Sequence, residues 1–143
     1  MKEENSDYQK ILSILIPSFN DRYYVKQCIE SILDSTSNDF ELIISDDSSD
    51  PETLKILNNY NDSRLTLLKS KKRQGLIENW KKCLKSSNGE WVHTIHSDDY
   101  YISGSIDQLI KNLKDRETIY LINLNCFNDE SDEIFDIQCD EIS

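Results

Sequence analysis

The chain has 143 residues, 37% hydrophobic and 30% charged, a composition that suits one soluble domain with a continuous core. A net charge of −11, with no stacking-aromatic pattern beside the basic residues, argues against general nucleic-acid binding. No apolar run is long enough to span a bilayer, and the first residues show no apolar segment with a basic flank, so no secretory signal is expected.

The charge is unevenly spread. Residues 129–143 carry seven acidic side chains and no Lys or Arg, and removing those seven from −11 leaves −4 for the rest. We therefore divide the chain into a short N-terminal extension (1–10), one domain (11–128) and an acidic tail (129–143). Lys69, Lys71, Lys72, Arg73, Lys81, Lys82 and Lys85 crowd one region. They read as a solvated helix face and loop, or as an attraction for an anionic ligand such as a diphosphate. Cys28, Cys83, Cys126 and Cys139 form no Cys-x-x-Cys pair, and Cys28 and Cys83 fall in predicted helices. Reduced thiols in the cytoplasm are the expectation.

Ile11–Ile16 is a β-branched and Leu run stopped by Pro17, the pattern of a strand covered on both faces. A turn through Ser18, Phe19, Asn20 and Asp21 follows. Val25, Cys28, Ile29, Ile32 and Leu33 then recur at helical spacing. Phe40–Ser45 is a second strand, ending in Asp46-Asp47. Asp50 before Pro51 predicts an N-cap with proline at the first helical position, with Leu54 and Leu57 facing the core. Arg64–Leu68 is a third strand. The helix from about Leu76 to Ser86 places Ile77, Trp80 and Leu84 on one stripe, and Asn88-Gly89 ends it. Glu90–His96 is a fourth strand, followed by Asp98-Asp99. Ile106, Leu109, Ile110 and Leu113 predict another helix, and Ile119–Leu124 another strand. Ile134–Ile137 reads as a short edge strand.

Alternating strands and helices imply right-handed crossovers and a three-layer α/β/α fold with a mostly parallel central sheet. All loops that follow parallel strands open at one edge, where such sheets bind ligands. Ser18–Asn20, Asp46-Asp47 and Asp98-Asp99 should therefore share that edge. Carboxylates gathered there repel unless a cation or hydrogen-bond donors sit among them. A metal held by one or two Asp completes its shell with water and phosphate oxygens, so the pattern suggests Mg²⁺ or Mn²⁺ with a nucleoside diphosphate. With glycine only at positions 75, 89 and 104, neither a P-loop nor a Gly-x-Gly-x-x-Gly motif can form. No Gly-x-Ser-x-Gly elbow is present. His93 and His96 lie three apart on one strand and face opposite sides, which disfavours a shared zinc site; His93 reads as packed and His96 as a pocket candidate. A receiver-type signalling domain would need its acidic pair after the first strand, where Pro17-Ser18-Phe19-Asn20 stands instead.

Ser13–Asn20, Phe40–Asp50 and Asn88–Asp99, with Gln27–Leu33 and Gly75–Leu84 between them, together resemble glycosyltransferase family 2, nucleotide-sugar enzymes with the GT-A fold. The resemblance runs from about Ile11 to about Phe127. It implies that Pro17, Ser18, Phe19 and Asn20 line the nucleotide pocket and that Asp47 accepts from the base N–H, leaving Asp46 to a turn. Asp98 would face the ribose or sugar and Asp99 the metal, Mn²⁺ or Mg²⁺. Asn79 would border the donor or serve in helix packing. The implied donor is a UDP-sugar. The implied acceptor is a glycan or lipid-linked sugar, the latter with peripheral membrane association. The implied reaction is direct displacement with inversion, in which the metal stabilises the departing diphosphate and a carboxylate base takes the acceptor's proton.

Three departures from the family stand out. His96 replaces an Asp, and Ser48 replaces a usual Gly. No residue matches the catalytic base, since Asp129 and Glu130 in the tail lack its spacing. The sequence therefore reads as a donor-binding half, short or truncated, with a non-catalytic nucleotide- or partner-binding module on the same scaffold as the alternative.

Overall fold

In the computed structural model the run from Leu12 to Ser18 forms β1, and all seven of its residues are buried. Apolar side chains on both faces favour a central position, and β1 occupies one. It pairs in parallel with β2 (Phe40–Asp46) on one side and with β4 (Trp91–Thr94) on the other, while β3 (Leu65–Lys69) adds in parallel beyond β2. The strand order is β3-β2-β1-β4. The structure describes residues 10–113 and two further strands, β5 (Leu124–Phe127) and β6 (Ile134–Ile137), which pair antiparallel as a separate sheet. The strand expected over Ile119–Leu124 falls mostly outside the described residues; Leu124 begins β5. The short strand read at Ile134–Ile137 is β6. Most of the N-terminal extension and of the acidic tail also lies outside the described residues.

Helices cover both faces of the parallel sheet. On one, α1 (Val25–Leu33), α2 (Pro51–Leu57) and α4 (Ser105–Asn112) bring Cys28, Ile29, Ile32, Leu57, Ile106 and Ile110 onto Leu12, Ile14, Ile16, Leu42 and Ile44. Burying each of these Leu or Ile side chains stabilises the fold by about 1.5–3 kcal/mol. On the other face α3 (Leu76–Ser86) sets Cys83 against Leu15 and Ile43. The result is the three-layer α/β/α arrangement expected from the sequence. Asp50 caps α2 as read, its Oδ1 accepting the Thr53 N–H at 2.9 Å with Pro51 at the first helical position. Among the described residues no helix is long and apolar enough to cross a membrane.

Helix α3 corrects one expectation. Its buried face is Asn79 and Cys83, whereas Ile77 and Leu84 are 67% and 46% exposed. The orientation is set by hydrogen bonding, because Asn79 reaches backbone carbonyls at the ends of β1 and β2. Cys83 Sγ likewise approaches the Ile16 and Ile43 carbonyl oxygens at 3.8 and 3.9 Å. Gly89 is also recast. Its φ is not positive; a Cβ there would lie 2.5 Å from Ser13 N, so glycine is required by close approach to β1.

The order β3-β2-β1-β4 places the chain's change of direction between β1 and β4. At such a switch point the loops leaving neighbouring strands diverge and open a crevice.

Candidate functional site

Three loops and the start of α3 enclose a cleft of about 290 Å³ at the carboxyl edge of the sheet. From β1 come Pro17, Ser18, Phe19 and Asp21; from β2, Asp47. The α3 region gives Arg73, Leu76 and Asn79, and the loop after β4 gives His96, Ser97 and Asp98.

The β2 loop separates its two carboxylates by function. Asp46 is consumed by the turn, accepting from the Ser48 and Ser49 backbone N–H groups at 3.2–3.3 Å. That turn drives Ser48 to φ 66, a conformation that glycine adopts at less cost. Asp47 is 2% exposed, and its two oxygens accept from Gln74 N at 2.7 Å and Gly75 N at 2.8 Å. It thus moors the loop that starts α3. A carboxylate has about four acceptor sites, so Asp47 retains capacity for a ligand N–H.

Asn79, also 2% exposed, donates from Nδ2 to Ser45 O at 2.8 Å and Ser18 O at 3.2 Å, tying the ends of β2 and β1 together. Its Oδ1 is buried without a hydrogen-bond partner among the described residues. A buried, unmatched acceptor costs roughly 1–3 kcal/mol until a donor reaches it. Close by, the Arg73 guanidinium lies over the Phe19 ring at 4.2 Å, pairing a planar cation with an aromatic face on the cleft wall.

Past the end of β4, Ile95 N–H still donates to Leu15 O at 3.1 Å, and Asp99 N–H closes a turn on His96 O. Cys28 Sγ from α1 donates to that same carbonyl at 3.5 Å. Burial pushes the Cys28 thiol up to about 12, with the charges of Asp99, Asp98 and Asp21 adding to the effect. Neither the Asp98 nor the Asp99 carboxylate has a hydrogen-bond or ion-pair partner among the described residues, and both are exposed. Among those residues no group of three or more His, Cys, Asp or Glu side chains could hold a metal. Two carboxylates next to each other in the chain could hold a divalent ion only if water and ligand oxygens completed its shell.

The model for glycosyl transferase family 2 matches residues 13–139. The chain belongs to this family. Among its relatives, the Escherichia coli UDP-Glc:alpha-D-GlcNAc-diphosphoundecaprenol beta-1,3-glucosyltransferase WfaP is 32% identical over 101 residues, covering 71% of this chain and 40% of that protein. Chondroitin synthase from Pasteurella multocida is 29% identical over 125 residues, 85% of this chain and 13% of that one. Among solved structures, S. aureus TarS 1-349 in complex with UDP-GlcNAc matches with a TM-score of 0.65 and 25% identity, covering 71% of this chain and 31% of that chain. The fold is GT-A, and the chain spans less than half the length of each of these relatives.

Against the family pattern, the structure places Pro17, Ser18, Phe19, Asp47, Asn79 and Asp98 on one cleft. Asn20 is placed differently: its N–H donates to Ser49 Oγ and its Oδ1 accepts from Asp50 N–H, both at 2.9 Å, so it braces the β1 loop against the β2 loop. Asp99 follows Asp98 without lining the cleft. His96 does line it, whereas His93 packs 5.9 Å from the Tyr101 ring and burial lowers its pKa. Sequence reasoning passed over Asp21 and Ser97, and met Arg73 only as part of a basic run. The available signal for Asp21 was its place, four residues beyond Pro17 on a loop already singled out.

Proposed function

We propose that the cleft binds a nucleoside diphosphate sugar, with a UDP-sugar as donor, and that the chain forms the donor side of an inverting glycosyltransferase. One observation carries the reading: acceptors for a base, an aromatic–guanidinium pair and Asp98, with Asp99 next to it in the chain, come together at a single opening at the switch point. Asp47 and the unmatched Asn79 Oδ1 offer acceptors for base or ribose donors, and Phe19 with Arg73 offers a face for stacking. The Arg73 guanidinium also offsets diphosphate charge.

Asp98 and Asp99 would hold Mn²⁺ or Mg²⁺ when nucleotide is bound. The ion's chemistry there is stabilisation of negative charge on the departing diphosphate. The residues themselves would do the orienting: Asp98 would face the ribose or sugar from the loop after β4, opposite Phe19 and Ser18 at the end of β1. The acceptor hydroxyl, on a glycan or a lipid-linked sugar, must lose its proton to a base, and we assign that role to none of the described residues. A lipid-linked acceptor brings with it peripheral contact with a membrane. Cys28 and Cys83, both free and buried, fit the reducing cytoplasm.

The test is calorimetric titration with UDP, with and without Mn²⁺. Measurable binding is expected, stronger with Mn²⁺, and Asp99→Ala should abolish the metal's contribution. Absence of binding to UDP or any other nucleoside diphosphate would overturn the proposal.

A further inference from the structure

The ladder between β1 and β4 stops one bond beyond the paired strands, at Ile95 N–H to Leu15 O. Beyond it the loop carrying Pro17–Phe19 and the loop carrying Ser97–Asp99 separate, and between them lies the mouth of the cleft. One side chain joins them again. Asp21 Oδ2 accepts the Phe19 N–H at 2.9 Å and faces Ser18 Oγ at 3.3 Å, both on its own loop. The same oxygen accepts from Ser97 Oγ at 2.5 Å, across 76 residues of sequence.

The chemistry of this link is one-directional. A carboxylate accepts only, so the Ser97 hydroxyl must spend its single proton on Asp21, which fixes the Ser97 rotamer. Ser97 is 5% exposed and adjoins Asp98 in the chain, so fixing it also fixes where the exposed Asp98-Asp99 pair is presented. The backbone of Asp21 is equally committed, because its carbonyl accepts from Tyr24 and Val25 at the start of α1. The carboxylate is therefore tied through its own backbone to the start of α1 while it links its loop to the loop after β4.

We infer that Asp21 is a positioning residue that couples the nucleotide end of the cleft to its metal end through Ser97. This rests on the donor-site reading above and adds what that reading lacks, a physical connection between its two halves. Nucleotide held by the β1 loop and an ion held by Asp98 and Asp99 then order the same bridge, so each lowers the cost of binding the other.

The experiment is titration of the intact chain with UDP, with and without Mn²⁺, for wild type, Asp21→Asn, Ser97→Ala and the double variant. Asp21→Asn should weaken binding about tenfold with Mn²⁺ and less than about threefold without it, as expected for loss of a charge-assisted hydrogen bond that matters to one state. Ser97→Ala, which removes the bridge and no charge, should reproduce the selective loss. The double variant should be no worse than Asp21→Asn within about twofold, because both changes delete one link. Should Asp21→Asn fail to fold, Ser97→Ala alone carries the comparison. Equal losses with and without Mn²⁺, unchanged binding in the variants, or multiplying losses in the double variant would each overturn the coupling while leaving the donor site standing. If wild type binds no nucleotide, the donor reading fails and the coupling with it.

Discussion

The two edges of the parallel sheet handle polar groups in opposite ways. At the amino edge, the Arg64 guanidinium donates to Ser35 O, Ser37 O and Leu33 O at 2.7, 3.0 and 2.8 Å, and to both oxygens of Asp62 at 2.9 and 3.0 Å. It also lies 4.9 Å from the Phe40 ring centre. Asp107, in the first turn of α4, accepts from Ser35 Oγ at 2.6 Å and Ser37 N at 3.1 Å. Donors and acceptors match within the protein. At the carboxyl edge, Asn79 Oδ1 has no partner among the described residues, Asp98 and Asp99 are exposed, and Asn20 and Ser48 hold positive φ. Saturated polar groups fasten a fold, and unsaturated ones leave something for a ligand to complete.

The comparison breaks most readily at Arg64. Its side chain is 12% exposed and gathers carbonyls at the end of α1, so Arg64→Ala should cost about 3 kcal/mol in urea unfolding, as for loss of several charge-assisted bonds. UDP affinity of the folded variant should stay within about twofold, since the two edges share no partners. A large loss of affinity would show that the edges are not separable.

A smaller effect is expected in acid. Hydrogen bonds from Arg64 hold the Asp62 carboxyl below its ordinary value of 3.8, and those from Ser35 and its neighbours do the same for Asp107. A depressed carboxylate contributes stability that is fully present above its unfolded value and is lost as pH falls through the folded one. Urea midpoints should therefore decline as pH drops below about 4, and Arg64→Ala should flatten the part due to Asp62. A variant with the wild-type slope would remove Arg64 as the cause.

The smallest change lies at the other edge. Ser48 at φ 66 stores strain that Ser48→Gly relieves, an expected gain of about 0.5–1 kcal/mol in unfolding free energy. Loss of stability would mean that the Ser48 side chain does more for the turn than its backbone costs.

Much of this was legible in sequence because strands and caps are local. The apolar run after Ile11, the Asp50-Pro51 cap and the carboxylate pairs each declare themselves within a few residues. Long-range hydrogen bonds do not. Helix α3 exposes Leu76, Ile77 and Leu84, and its orientation depends on carbonyls at the ends of two strands, which no helical period encodes. Asp21 and Ser97 meet across 76 residues, and Arg64 reads as the start of a strand until the carbonyls of α1 are brought to it. Ser48 was the exception: a missing glycine in a tight turn pointed directly to the strained φ that is found.

Gly89 sits at the far end of β4 from the cleft, where its N–H donates to Ser13 Oγ at 2.8 Å and Ser13 Oγ in turn donates to Glu41 at 2.6 Å. A single added methyl would press on the β1 backbone and act as a wedge under the outer strand. Among the described strands β4 pairs with β1 alone, over four residues, so that short ladder is what the wedge would strain. The seating of β4 on β1 is thus gauged at the root of the strand, by an atom that the sequence leaves out.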